Sequence, residues 1–220
     1  MGENVELDRQ EGKMVMDLLK IKEIAFNYFG NTATFAFMER GNKFDHGQRV
    51  ANLSKIIRKN VLPDDNTRDD ILTVSAWFHD CMHNQKDHAQ LGAEKARELL
   101  KDELMDDELN EVCRIITLHD RRDLRDESAY LKIQQDADLL DHFGVFEIWI
   151  HFAYTINHDM NMKKACDWLL NERPKEDQRF LAELHFDYSK KIYKEKAQFL
   201  HKFTKRMSVE VEGNIVTDEM

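Results

Sequence analysis

Apolar residues recur along most of this chain at steps of three and four, and no stretch alternates steadily between apolar and polar residues. A period near 3.6 is typical of helices that bury one face, whereas half-buried strands alternate. Glycine and proline, which interrupt helices, occur only eight and two times in 220 residues. The sequence therefore predicts an all-α protein, a single domain with a helical core at about 13–158 and a C-terminal helical extension at about 160–212.

Start and stop signals divide this pattern into successive helices. The predicted helices span about Lys13–Phe29, Asp45–Asn60, Asp69–His79, Asp87–Leu100, Asp106–His119, Leu131–Leu140, Val145–Ile156, Met162–Asn171 and Lys175–Met207. The charged segment 121–128 is predicted to be a loop. The last helix carries a broken apolar stripe, which either packs on the same chain or forms a homodimer. The stripe consists of Phe180, Leu184, Tyr188, Ile192, Phe199 and Phe203.

Charge and cysteine content exclude several classes of protein. A net charge of −10 gives little support to binding of a nucleic-acid backbone, which needs clustered cations. Cys81, Cys113 and Cys166 form no CxxC pair, so neither a disulfide framework nor a cysteine zinc site is expected. The polar first residues do not resemble a signal peptide, Glu6 departs from the myristoylation pattern, and no apolar run would span a bilayer. We expect a cytoplasmic protein with no membrane or nucleic-acid partner.

Two imidazoles and two carboxylates fall where helical periodicity turns them inward. His46 precedes Val50 by four residues and continues the apolar stripe of its helix. His79 and Asp80 follow an apolar helix directly, and Asp138 lies within another. Buried charge is costly unless it is compensated, and one divalent cation shared by these groups would compensate it.

Each of these residues, taken alone, has an ordinary structural explanation. A single histidine on an apolar stripe is usually a hydrogen-bonded core residue, Asp80 could cap the following turn, and Asp138 could pair with an arginine. The dipeptide His-Asp is also not diagnostic, because His158-Asp159 repeats it before a polar segment. The prediction of a metal site therefore depends on the order of all four residues.

In that order the chain resembles the HD superfamily of metal-dependent phosphohydrolases. The similar segments are FDHGQRVANLSKII, ILTVSAWFHDCMH and KIQQDADLLDHFG, within about Asn42–His151. They are similar to the first histidine of the family, its central His-Asp pair and its last aspartate motif. The variety closest in pattern is the small bacterial HD hydrolase with HDxxH and QDAD motifs. The resemblance implies an HD-type helical bundle.

The resemblance also implies the metal ligands, which are His46, His79, Asp80 and Asp138. Asp138, rather than Asp136, occupies the ligand position after Ala137, and Asp136 and Asp141 would support the ligands or cap helices. Such a mixed nitrogen and oxygen set suits a six-coordinate divalent ion, Mn, Mg, Co, Ni or Fe, better than a closed structural zinc.

The chain departs from the family pattern at the position of a catalytic group. Some HD nucleotidases carry a glutamate three residues after the His-Asp pair, where this chain has His83. The expected catalytic residues are Asp80, to orient water, and His83 or His119, to transfer a proton. Alternatively, His83, His88 and His119 would hold a second metal ion or contact phosphate.

Cations near the expected mouth of the site are the candidates for holding a phosphate. The expected substrate-binding residues are Arg49, Lys86, His88, Arg121, Arg122 and Arg125. The alternatives are that Arg49 pairs with a ligand carboxylate or is solvated, and that the loop arginines pair with their acidic neighbours. The implied function is hydrolysis of a phosphate ester or anhydride in a small nucleotide substrate. The alternatives are a non-catalytic regulator that binds metal or nucleotide and a di-iron HD oxygenase.

Overall fold

A computed structural model describes residues 16–33, 39–124 and 126–215 of the protein. These residues form ten α-helices and one short 3₁₀ turn, Arg173–Glu176. The helices are α1 Leu18–Phe29, α2 Asn42–Val61, α3 Asp69–Phe78, α4 His88–Leu100, α5 Asp106–Leu118, α6 Ala129–Asp141, α7 Val145–Asn157, α8 Met162–Asn171, α9 Asp177–Glu183 and α10 Asp187–Glu210. The predicted all-α fold is confirmed.

Helix α3 lies at the centre of the fold. All residues from Ile71 to Phe78 are buried, and the helix packs against α1, α2, α4, α5 and α6. A helix that is apolar on every side is stable only when other helices surround it. Because α3 ends at Phe78, the polar pair His79-Asp80 lies at the end of this central helix, among its neighbours.

Helices α2 and α3 approach closely at Gly47. A Cβ atom built on Gly47 would lie 2.8 Å from the backbone oxygen of Ala76 and 3.1 Å from Cα of Trp77. A side chain at this position would push the two helices apart. Glycine therefore lets α2 carry His46 up to the end of α3.

The C-terminal segment packs on the same chain. Leu184, Tyr193 and Ala197 belong to the buried apolar cluster formed by α1 to α6, and α10 also packs against α8. Phe199, on the predicted stripe, is 48 % exposed. The chain's own core thus covers much of the stripe, and the homodimer stays a prediction.

The predicted continuous helix Lys175–Met207 is wrong, because the chain is extended between α9 and α10. Leu184 has a ψ of 136°, and the backbone N–H groups of His185 and Phe186 donate to the two carboxylate oxygens of Asp136, at 2.9 and 3.1 Å. The two N–H groups at the start of α10 stabilise the buried carboxylate of Asp136, and this stabilisation favours the break over a continuous helix. This partner lies far away in the sequence, so local periodicity could not reveal the break.

The first helix begins later than predicted. Asp17 caps α1, since its Oδ1 accepts hydrogen bonds from the backbone N–H groups of Leu19 and Lys20, each at 3.1 Å. The predicted start at Lys13 lies outside the described residues. Within the described part of the chain, every helix is too short or too polar to cross a bilayer.

Candidate metal centre

The centre begins with His46, in the first turns of α2. Its ring is buried, and its Nδ1 lies 2.8 Å from Oδ2 of Asp141, at the end of α6. A carboxylate oxygen accepts, so Nδ1 carries the proton and donates it, which leaves the lone pair on Nε2. Asp141 therefore fixes the tautomer in which Nε2 faces the centre as an acceptor.

His79 is fixed in the same tautomer by the backbone of its own helix. Its Nδ1 lies 2.8 Å from the carbonyl oxygen of Ala76, which can only accept. Its Nε2 then also carries a lone pair, and this atom lies 3.2 Å from Nε2 of His46. Two lone pairs so close repel each other unless a proton or a cation lies beside them. The structure thus provides a buried place for positive charge.

Carboxylates complete this place. Oδ1 of Asp138 lies 3.2 Å from Nε2 of His46 and 3.5 Å from Nε2 of His79, and Oδ2 of Asp80 lies 3.9 Å from each of them. Although burial opposes ionisation, hydrogen bonds with His46 and His79 hold the pKa of Asp138 well below its usual range, which requires a proton on the facing Nε2 atoms when no cation lies there. Asp80 is also held ionised against burial, because His79 and Lys43 lower its pKa.

His46, His79 and Asp80 lie close enough together to hold one divalent ion, and the carboxylate of Asp138 lies beside the two histidines. Ligand atoms about 2.1 Å from an ion stand about 3.0 Å apart at a right angle and further apart at wider angles. The separations of 3.2 to 3.9 Å found here lie in that range without rearrangement of the helices. The four predicted ligands therefore come together from α2, from the end of α3 and from α6.

A second donor group lies on the other side of Asp80. Its Oδ1 is 3.8 Å from Nε2 of His119 and 3.9 Å from Nε2 of His88, and the three groups are close enough to hold an ion. Nδ1 of His119 donates to the carbonyl oxygen of Ile116 at 2.7 Å, so its Nε2 also has a free lone pair. Asp80 thus stands between two adjacent sets of possible ligands.

His142, which the sequence reasoning did not single out, also borders the centre. It lies four residues after Asp138, and these two residues and His46 form a further group that could hold an ion. Its Nδ1 donates to the carbonyl oxygen of Asp138 at 2.9 Å, and its side chain is 44 % exposed. The signal available in the sequence was its position one helical turn after Asp138.

Two of the predicted substrate-binding arginines hold carboxylates of the centre instead of facing open space. The Nε and Nη2 atoms of Arg49 donate to Asp141, each at 2.9 Å, in a two-pronged pair. Nη2 of Arg122 donates to Oδ2 of Asp138 at 2.8 Å, and its Nη1 donates to the carbonyl oxygen of Gln135. Arg49 thereby holds Asp141, which contacts His46, and not a carboxylate of the four predicted ligands.

Two of the remaining cationic candidates, Lys86 and Arg121, are exposed. Arg121 is exposed and pairs with Asp123, with Nε and Oδ1 3.1 Å apart. Lys86 is exposed on the loop before α4. Arg125 lies outside the described residues. Their role in binding a substrate stays a prediction.

Lys43 is a cation of the centre that the sequence reasoning missed. It precedes His46 by almost one helical turn, and its Nζ forms an ion pair with Oδ2 of Asp80. Lys43, Asp80 and His83 line one cavity of about 120 Å³. Burial and the charge of Lys43 lower the pKa of His83 to about 4, so the ring of His83 is neutral at pH 7.

Asp136 and the pair His158-Asp159 have other roles. Asp136 accepts the two amides that begin the segment before α10, and burial raises its pKa in spite of these hydrogen bonds. His158 stacks on Tyr154, with the ring centroids 3.8 Å apart, and Asp159 has a left-handed φ of 53°. His158 and Asp159 thus mark the end of α7.

Comparison with known proteins agrees with this architecture. Residues 44–142 match the family model of the HD domain. The chain contains an HD domain. The matched segment begins at Phe44, two residues before His46, and ends at His142, so it includes all four predicted ligands. No curated protein matches the chain significantly.

Solved structures share the fold at low sequence identity. A protein described as a predicted HD superfamily hydrolase, from an uncultured Thermotogales bacterium, is 22% identical, with 88% of this chain and 92% of that chain covered and a TM-score of 0.61. Bacillus subtilis YpgQ, solved in complex with ADP, is 20% identical, with 88% and 98% covered and a TM-score of 0.62. The Lin1889 protein of Listeria innocua is 23% identical, with 90% and 98% covered and a TM-score of 0.58. The resemblance to the HD superfamily is confirmed, and the chain has the fold of the HD hydrolases.

Proposed function

We propose that this HD domain is a metal-dependent phosphohydrolase that cleaves a phosphate ester or anhydride of a small nucleotide. The observation that carries the proposal is the convergence of Nε2 of His46, Nε2 of His79 and the ionised carboxylate of Asp138, with the two Nε2 atoms 3.2 Å apart. Three acceptors this close need a positive charge among them. A proton supplies it in the free protein, where, despite burial, hydrogen bonds with Asp138 and Asp141 raise the pKa of His46 to about 9, and a divalent ion would replace that proton. A divalent ion held by His46, His79, Asp80 and Asp138 would lower the pKa of a water molecule and polarise a phosphoryl oxygen.

Asp80 is the residue best placed to orient the attacking water. Its Oδ2 faces His46 and His79, and its Oδ1 faces His88 and His119. A carboxylate with one oxygen toward the ligands retains the other as an acceptor for a water proton. We propose that Asp80, His88 and His119 form a second ion site that shares this carboxylate.

His83 is the candidate for proton transfer. It lines the same cavity as Asp80, and because burial and Lys43 lower its pKa to about 4, it would hold a proton only briefly before returning it. In the proposed reaction the oxygen of water forms a bond to phosphorus and the phosphorus–oxygen bond to the leaving group breaks. His83 accepts one proton from the water and returns it to the leaving oxygen. Lys43 and Arg122, on opposite carboxylates of the centre, supply positive charge near the phosphate.

A panel of nucleotides and phosphomonoesters tests the proposal. The protein is assayed for phosphate and pyrophosphate release with Mn, Mg, Co and Ni, beside Asp80→Ala prepared in the same way. The presence of ADP in the crystal of Bacillus subtilis YpgQ makes nucleoside phosphates the first substrates to test. We expect metal-dependent release that Asp80→Ala abolishes. Absence of release with every metal and substrate would contradict the proposal and favour a regulator that binds without turnover.

The presence of two adjacent donor groups also favours one alternative, a di-iron oxygenase, because such chemistry uses paired iron ions. Iron content and the absorption spectrum of the purified protein separate the two functions. A coloured protein with about two irons per chain and no phosphate release would favour the oxygenase.

A further inference from the structure

We propose that a cavity between α7 and α8 is the binding pocket for the base of the nucleotide. The cavity has a volume of about 450 Å³. Its lining is mostly apolar and aromatic, with Ile150, Tyr154, Met160 and Trp168 among the residues that form it. Pockets for small ligands have this size and character. The inference rests on the proposed function, since it names the part of the substrate that lies beyond the phosphate.

His142 connects this cavity to the metal centre. The side chain lines the cavity and belongs, with His46 and Asp138, to one of the groups that could hold an ion. The ring centroids of His142 and His46 lie 5.0 Å apart. A nucleotide with its phosphate at the metal centre would therefore have only the imidazole of His142 between the centre and the cavity that holds its base.

Three rings that line the cavity, those of His151, Tyr154 and Trp168, belong to two stacked aromatic pairs. The rings of His151 and Trp168 are 4.9 Å apart and inclined by 19°, and those of Tyr154 and His158 are 3.8 Å apart and inclined by 21°. Tyr154 and Trp168 are nevertheless 45% and 40% exposed. Exposed flat rings around a cavity favour a planar aromatic ligand, because such a ligand can stack on them.

Three polar side chains of this wall, those of Glu147, His151 and Thr155, already have partners. The carboxylate of Glu147 forms an ion pair with the buried Arg173. The hydroxyl of Thr155 donates to the carbonyl oxygen of His151 at 2.7 Å, and Nε2 of His151 donates to the carbonyl oxygen of Ala165 at 3.1 Å. Stacking without hydrogen bonds to base edges discriminates weakly, because every base has a π-face. We therefore expect both purine and pyrimidine nucleotides to bind, with KM values within about tenfold of one another.

Fluorescence of Trp168 tests the pocket without any need for turnover. In the variant Trp149→Phe, which removes the exposed tryptophan of another cavity, the remaining residues are the buried Trp77 and Trp168 in the pocket. We expect adenosine, ADP and cytidine to quench this fluorescence saturably, and inorganic tripolyphosphate to leave it unchanged. If none of adenosine, ADP and cytidine quenched the fluorescence saturably, the proposal would be overturned, even if the protein hydrolysed phosphates.

Steady-state kinetics provide the second test. The variant Tyr154→Ala is compared with Phe199→Ala, which removes an exposed aromatic ring from another cavity. The ratio of kcat/KM for a nucleoside triphosphate to kcat/KM for tripolyphosphate should fall about tenfold in Tyr154→Ala, mainly through KM, because a stacking partner of the base is lost. Equal ratios in the two variants would overturn the proposal. If no substrate is hydrolysed, the proposed function fails and the quenching alone decides whether the pocket binds a base.

Discussion

Oδ2 of Asp141 accepts a hydrogen bond from Nδ1 of His46 at 2.8 Å, and the same carboxylate is held by Arg49. The arrangement orients the ring of His46 and leaves its Nε2 free for a metal ion, as carboxylates behind metal-bound histidines commonly do. The carboxylate comes from the end of α6, so the position of His46 depends on how α2 and α6 pack.

The first prediction follows from this pair. Asp141→Asn should lower the affinity for Mn about 10- to 100-fold, because the amide loses the charge and can present its NH₂ group to His46. Isothermal titration measures the affinity, with Asp45→Asn, an exposed aspartate on the same turn as His46, as the control. Equal affinities in the two variants would show that Asp141 does not support the ligand.

The second prediction concerns the central pair. His79→Ala and Asp80→Ala should each abolish metal loading and turnover while circular dichroism retains its helical signal. The control is Asp159→Asn from the other His-Asp pair, because asparagine tolerates the left-handed φ of 53° at that position better than alanine does. If either alanine variant kept the metal content of the native protein, the assignment of the centre would be wrong.

The third prediction separates two aspartates of α6. Asp138→Asn should reduce metal affinity strongly, since its carboxylate lies beside both histidines. Asp136→Asn should instead lower the free energy of unfolding by about 1.5–3 kcal/mol, because its hydrogen bonds with the amides of His185 and Phe186 are weakened. Metal titration and urea unfolding of both variants measure the two effects. Equal or reversed losses of metal affinity would mean that the wrong aspartate was chosen.

The fourth prediction concerns the number of ions. Elemental analysis of protein equilibrated with Mn should give about two ions per chain for the native sequence and about one for His88→Ala or His119→Ala, because each variant loses a ligand of the second site. His201→Ala serves as the control, because it removes a histidine of α10 that lies near Asp177. If every sample contained one ion per chain, the proposed second site would be wrong, and contact with the substrate would be the remaining role for His88 and His119.

The fifth prediction concerns the contact of α2 with α3. Gly47→Ala should lower the free energy of unfolding by about 1–3 kcal/mol and weaken metal binding, because a Cβ atom there requires the two helices to separate. Gly92→Ala is the matched control, since its Cβ would meet the nearest atom at 3.4 Å, an ordinary contact, compared with 2.8 Å at Gly47. Similar stabilities in the two variants would contradict the close approach as the reason for glycine at position 47.

Periodicity and capping signals were sufficient for most of the helices, because these features depend on neighbours in the sequence. Helix α8 has the predicted bounds, Met162–Asn171, and α5 differs by one residue at its end. The extended break before α10 could not be predicted in this way, since it depends on Asp136, which lies 49 residues before His185.

The centre was predictable to a similar extent. Inward-facing positions and the resemblance to the HD superfamily predicted four ligands, and the structure brings these four side chains close together. The contacts of Lys43 and Arg122 depend on the angles between helices and on side-chain conformations, which no spacing in the sequence encodes. Arg122 is an example. Its charge suggested that it binds phosphate, but no local pattern indicated its ion pair with Asp138.

The carboxylate of Asp136 ties the start of the C-terminal segment to the helix that carries Asp138. The amide protons of His185 and Phe186 are donated to that carboxylate, so their exchange with deuterium reports the order of α6 from outside the centre. If loading of the centre orders α6, hydrogen-exchange mass spectrometry of this short segment would follow the loading in protein that carries no substitution. The segment before α10 would then report occupancy of the centre from a distance.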